Sequence, residues 1–152
     1  MDFVRTLKLK NEDETRQLGH SLADELERGD VVALIGDLGT GKTTLTRYIA
    51  EGLGIKSRVN SPTFTIVKEY HEGRLPFYHF DVYRICGEDA PGGYETGIEE
   101  LYNIGIEEYF YGRGICIMEW ADLIKEILPE NTKYIYIEYG NEEGERAYNL
   151  SF

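Results

Sequence analysis

Little in this 152-residue sequence is long and apolar, disulfide-forming or basic. Its longest apolar runs, such as VVALI and GICIM, stop at about five residues, whereas crossing a bilayer takes about 20, so a transmembrane helix is excluded. The opening MDFVRTLKLKNEDE has no apolar stretch of the kind a secretory leader needs. The two cysteines, Cys86 and Cys116, are far apart and show no CxxC spacing. That excludes a disulfide framework and reads as reduced thiols in a cytoplasmic protein. His20, His71 and His79 make no metal-ligand spacing with them. Positive charge is scarce: 16 Lys+Arg against 28 Asp+Glu gives a net charge of −12. A chain that grips nucleic acid unaided carries a basic stripe, because neutralising phosphates supplies most of the affinity. Here the only basic cluster outside a glycine-rich loop is Lys56 with Arg58. Direct nucleic-acid binding is disfavoured, and the acidic surface suits a basic protein partner.

What is present is enough for one globular domain over residues 1–152, with 41% hydrophobic residues to build its core. Residues 3–9 alternate weakly, as an edge strand does. Asn11 with Glu14 makes a capping-box variant, and Leu18, Leu22 and Leu26 follow as one helical stripe that ends by Gly29. VVALI is a buried strand, and a helix over residues 42–53 follows the glycine loop. Residues 64–70 and 75–81 predict a hairpin around HEGR. Residues 86–97, CGEDAPGGYETG, read as a loop from their glycines and proline. A helix over 98–110 interrupted weakly by Gly105, a strand over 115–118, a short helix ended by Pro129 and a closing hairpin complete the chain. The predicted fold is α/β: a P-loop NTPase-like mixed sheet, parallel at its centre, with antiparallel hairpins at its edges and helices flanking it.

The chemistry concentrates in GDLGTGKTT, residues 36–44. Gly36-x-x-x-x-Gly41-Lys42-Thr43 matches the Walker A pattern, between a strand and a helix. Glycines let backbone amides converge on a phosphate, and the helix N-terminus adds its positive end. Lys42 reaches the β- and γ-phosphates, and the Thr43 hydroxyl suits Mg²⁺. The candidate nucleotide contacts are Asp37, Leu38, Gly39, Thr40, Gly41, Lys42, Thr43 and Thr44. A carboxylate at Asp37 repels a triphosphate, so it either turns away to pair with a base or positions a water. Such a site needs another acid at a strand end. Glu119 closes ICIM and Asp81 closes FYHF, both at the sheet edge where α/β proteins bind ligands. Lys42, Asp81 and Glu119 are the candidate catalytic residues, and Thr43 with Glu119 the metal ligands. Ser61-Pro62-Thr63-Phe64 stands where switch loops sit. Trp120, beside Glu119, reads more readily as core than as a nucleotide neighbour. No N-K-x-D tetrapeptide for guanine occurs, and the D-x-x-G match at residues 89–92 lies in the predicted loop, so adenine is favoured.

In order, NEDETRQLG, GDLGTGKTTLTR, SPTFTIVKEY, HFDVYR and MEW resemble the TsaE (YjeE) family from residue 12 to about residue 146. That family is the ATPase component of bacterial tRNA threonylcarbamoyladenosine synthesis. The resemblance implies ATP at the P-loop, Mg²⁺ held by Thr43 and Glu119, and turnover that needs Asp81. It implies that the segment containing Glu12 and Thr15 lies near the adenine. It also implies TsaD and TsaB as partners, with tRNA met only through them and hydrolysis resetting their complex between turnovers. The stretch DAPGGYETG departs from the family's short acidic link and looks like an insertion. Two alternatives remain open at this stage. One is a small P-loop kinase, which needs lid arginines, although only Arg84 flanks residues 86–97. The other is a nucleotide-dependent binding switch with negligible turnover.

Overall fold

VVALI and ICIME are buried along almost their whole length, as parallel strands covered by helices on both faces must be. In the computed structural model, which describes residues 2–152, seven strands form one sheet. They are β1 Arg5–Leu9, β2 Val31–Ile35, β3 Val67–Tyr70, β4 Phe77–Asp81, β5 Ile115–Glu119, β6 Lys133–Tyr139 and β7 Arg146–Leu150, in the order β1-β7-β6-β2-β5-β4-β3. The central neighbours β6, β2, β5 and β4 run parallel. The β1–β7, β6–β7 and β3–β4 pairs are antiparallel, as the sequence predicts for the edges.

Strand alternation sorts the core into two halves. Val32, Leu34, Phe77 and Ile117 face helices α1 Glu12–Glu25 and α2 Lys42–Gly52, meeting Leu22, Leu45 and Ile49. Val31, Ala33, Phe80, Cys116 and Met118 face the other way. There α3 Tyr83–Cys86, α4 Gly93–Asn103, α5 Ile106–Phe110 and a 3-10 stretch Ala121–Ile127 cover them. Asn11 caps α1 by accepting from the Glu14 amide at 3.0 Å, and Glu14 reaches back to the Lys10 amide at 2.7 Å. Among the described residues, no helix is long and apolar enough to cross a membrane. Burial pushes the Cys86 thiol up to about 11 and the Cys116 thiol to about 12, so both free cysteines are poor nucleophiles.

Four segments differ from the sequence reading. Helix α1 stops at Glu25, and Leu26 already leaves the helical conformation. Strand β3 starts at Val67, not residue 64. Ile66 there adopts φ 70°, and its amide donates to the Pro62 carbonyl at 3.0 Å, which curls residues 62–66 into a turn. The weak interruption read at Gly105 in the 98–110 helix is a full break, with φ +82° there, into α4 and α5. The stretch read as a loop over residues 86–97 is non-helical only over residues 87–92, because Cys86 ends α3 and Gly93 opens α4. Its glycines serve as the turn at Gly92 and Gly93 (φ +81° each) and as a contact point at Gly97, where α4 meets the Ile85 carbonyl of α3.

Candidate functional site

Parallel strands deliver their last residues to one edge, and here β4 and β5 end on acids. Asp81 and Glu119 are register partners, so both carboxylates leave the sheet side by side. Between β2 and α2, the glycine loop faces them across a cavity of about 620 Å³ lined by Lys42, Thr43, Ser61, Thr63, Asp81 and Glu119 among others. Gly41 reaches φ 103° as the helix enters, and no side chain caps α2. The first amides of that helix have no intrahelical acceptor, so this end of the cavity is suited to an anion.

Lys42 is only 5% exposed. Its Nζ donates to the carbonyls of Gly36 at 2.6 Å and Asp37 at 3.0 Å, and lies 4.3 Å over the Trp120 ring. Burial pulls this ammonium below the ordinary lysine range, and the charges of Glu119, Asp122, Asp81 and Asp37 oppose the shift. The Thr43 hydroxyl donates to both oxygens of Glu119, at 2.9 and 3.0 Å. Asp81 accepts from Ser61 Oγ at 2.6 Å and from the Tyr83 amide at 3.0 Å, which ties the Ser61–Phe64 loop to the end of β4. Arg84 secures the same loop by donating to the carbonyls of Thr63 and Phe64.

The other sequence-derived candidates are placed as follows. Leu38, Gly39, Gly41 and Thr44 line the cavity with Lys42 and Thr43. Asp37 is exposed and takes part through its carbonyl, which accepts from Lys42 and from the Thr40 hydroxyl. Glu12 and Thr15 do not reach that cavity. They line a second one of about 420 Å³ on the far side of the loop, with Thr40, Arg146 and Tyr148. Thr15 is buried, with its hydroxyl 3.2 Å from that of Tyr148. Trp120, read as core, is half-buried. It packs on the core and also borders the cavity, its ring 4.7 Å from that of Tyr83.

Three neighbours were missed from sequence. Tyr139 and Arg146, register partners on the β6–β7 hairpin, clasp the loop from outside. Tyr139 Oη donates to the Leu38 carbonyl at 2.7 Å, Arg146 Nε to the Thr40 carbonyl at 3.1 Å, and the guanidinium stacks over the Tyr139 ring. Together with Lys42 they occupy four consecutive or near-consecutive loop carbonyls, which fixes the loop before any anion arrives. A side chain at Gly39 would come within 2.8 Å of Tyr139 Oη, so the clasp requires glycine there. Nothing local signals this pair, because it lies about 100 residues from the loop. Tyr139→Phe removes only the hydroxyl. Nucleotide affinity, read by equilibrium fluorescence titration, is expected to weaken by roughly 3- to 10-fold with little change in melting temperature. The third missed residue is His79, fully buried, with Nε2 at 2.6 Å from Glu119 Oε2. Its signal was present: in FYHFD, His79 and Asp81 share one strand face.

A threonine hydroxyl and one or two carboxylates are hard oxygen donors that fit magnesium, which takes its remaining ligands from phosphate and water. Among the described residues, no three or more His, Cys, Asp or Glu side chains gather into a separate metal cage.

Comparison with known proteins places the chain in a family. The family model described as "Threonylcarbamoyl adenosine biosynthesis protein TsaE" matches residues 9–148. The tRNA threonylcarbamoyladenosine biosynthesis protein TsaE of Bacillus subtilis is 48% identical over 133 residues, covering 88% of this chain and 77% of that protein. The protein of the same name from Nostoc is 34% identical over 151 residues, covering 97% and 86%. A crystal structure of Bacillus subtilis YdiB superposes with a TM-score of 0.77 at 39% identity, covering 99% of this chain and 87% of that one. A Walker A loop set against acids that end two parallel strands, with sequence similarity running through nearly the whole chain, makes this protein a member of the TsaE family.

Proposed function

We propose that the chain is a P-loop ATPase of the tRNA threonylcarbamoyladenosine machinery. It binds ATP with Mg²⁺, hydrolyses it slowly when alone, and works with TsaD and TsaB in the cytoplasm as one 1–152 domain. One observation carries this: Lys42, Thr43 and Glu119 converge on a single cavity beside the unsatisfied start of α2. Lys42 and the loop amides hold the phosphates. Thr43 and Glu119, already bonded to each other, are placed to share one metal ion. Magnesium held by these two residues would supply positive charge that offsets the negative charge developing on the phosphates. Asp81, held by Ser61 and the Tyr83 amide, orients the attacking water at the adjoining edge. Glu12 and Thr15 border the second cavity, where the adenine would sit. With a net charge of −12, tRNA contact is left to the partners.

The kinase alternative loses its one lid cation, because Arg84 is engaged by two carbonyls of the Ser61–Phe64 loop. The deciding experiment measures ATP and ADP binding, then ATP turnover with and without TsaD–TsaB, and capture of TsaD–TsaB under ATP, ADP or no nucleotide. Lys42→Ala is expected to weaken ATP binding by roughly 10- to 100-fold. Wild-type protein that binds no ATP, or turnover indifferent to the partners, would refute the proposal.

A further inference from the structure

Glu119 is 3% exposed and carries the site's one carboxylate that touches Thr43. That bond alone does not fix it. The Thr43 hydroxyl bonds both Glu119 oxygens at nearly equal distances, 2.9 and 3.0 Å, so it sets no preference between them. It is also the contact that a metal ion shared by the two residues would replace. Glu119 has one other side-chain partner among the described residues, His79. His79 stands on β4 opposite Ile117, two residues before Asp81, on the face that meets α1 and α2. It is fully buried, and its Nε2 lies 2.6 Å from Glu119 Oε2, on one oxygen only. Its Nδ1 has no hydrogen-bond partner among the described residues. A carboxylate only accepts, so Nε2 carries the proton of the bond. A ring placed merely to fill space would leave both nitrogens desolvated at a cost, and the bond to Glu119 is the one polar contact that offsets it.

We infer that His79 is a positioning residue: its Nε2–H holds Glu119 Oε2 and so aims the other carboxylate oxygen at the place where Thr43 and a divalent cation meet. The inference rests on the proposed magnesium–nucleotide site, and its effect is on the metal, not on the phosphate cradle. Lys42 and the loop are held by carbonyl contacts that do not involve His79. Partners that orient a metal ligand from behind change metal affinity by about 10- to 100-fold when removed.

The test titrates magnesium at fixed concentrations of a fluorescent ATP analogue, and also measures analogue binding without metal. Three variants are compared with wild type: His79→Leu, His79→Gln and His79→Asn. Glutamine places an amide N–H near the position of Nε2, and asparagine near that of Nδ1. His79→Leu and His79→Asn are expected to raise half-saturating magnesium about 10- to 100-fold. His79→Gln should restore it to within about threefold, and metal-free binding should stay within about threefold in all variants. Should wild type itself show no magnesium-dependent binding, the site assignment fails and this inference with it. If wild type shows it and His79→Leu matches wild type, the site stands and the inference alone is overturned. Equal weakening in all three variants, with no rescue by glutamine, would mean that the ring only packs, and would overturn it as well.

Discussion

Asp81→Asn is expected to lower ATP turnover by about 100-fold or more while nucleotide affinity stays within about threefold. The substitution keeps the size of the side chain. An asparagine oxygen can still accept from the Tyr83 amide, and its NH₂ can donate to Ser61 Oγ, so the two contacts that tie down the Ser61–Phe64 loop persist in altered form. What is lost is the negative charge at the cavity wall and the lone pairs free to take a proton from water. Single-turnover hydrolysis and equilibrium binding on the same preparation separate these effects. If Asp81 serves only as a loop anchor, turnover will survive the change. The same variant separates a hydrolysis-driven cycle from a simple binding switch. In a cycle, Asp81→Asn should trap the TsaD–TsaB complex with ATP bound. In a switch, partner capture under ATP and ADP should differ as it does for wild type.

The second large effect concerns stability and lies away from the cavity. Gly97→Ala is expected to destabilise the fold by about 3 kcal/mol, the upper part of the usual overpacking range. A Cβ built at Gly97 lies 1.9 Å from the Ile85 carbonyl oxygen and 2.8 Å from Cys86 Sγ. The first obstacle is backbone, so no rotamer change relieves it, and α3 and α4 must separate. For a chain of this size the midpoint of thermal unfolding should fall by roughly 6–12 °C. Gly93→Ala is the internal contrast. No atom lies within 4 Å of a Cβ there, yet φ is +81°, so only the left-handed backbone penalty of about 1 kcal/mol applies. Equal losses at the two positions would mean that the α3–α4 contact is not the cause.

These two predictions mark what could and could not be read from the chain alone. The P-loop was legible because its chemistry is contiguous: glycines, lysine and threonine must follow one strand and open one helix. The positions of Glu119 and Asp81 were legible because each closes a stretch that reads as a strand, and a parallel sheet sends such ends to one edge. The alternating β6–β7 hairpin and the edge strand β1 were readable for the same reason of period. The loop reading held over residues 87–92, and the start of α4 within it was missed because glycine signals a turn and a close approach alike, and Gly97 is the second kind. The start of β3 was misread because Ile66, a β-branched residue, takes a left-handed φ that composition disfavours. The clasp by Tyr139 and Arg146 depends on a contact across the fold. His79 was recoverable in principle, since two residues apart on a strand means a shared face.

That shared face has a consequence for how the molecule is made. Phe77, His79 and Asp81 point one way along β4, and Tyr78 and Phe80 the other. A one-residue slip against β5 would turn all of them over together, sending imidazole and carboxylate to the face covered by α3, α4 and α5 and two aromatics to the face they left. At the proposed magnesium–nucleotide site, such misthreaded chains would show no binding at all, not weak binding. The fraction of titratable sites in a refolded sample should therefore count the correctly paired molecules, independently of the affinity that each one shows.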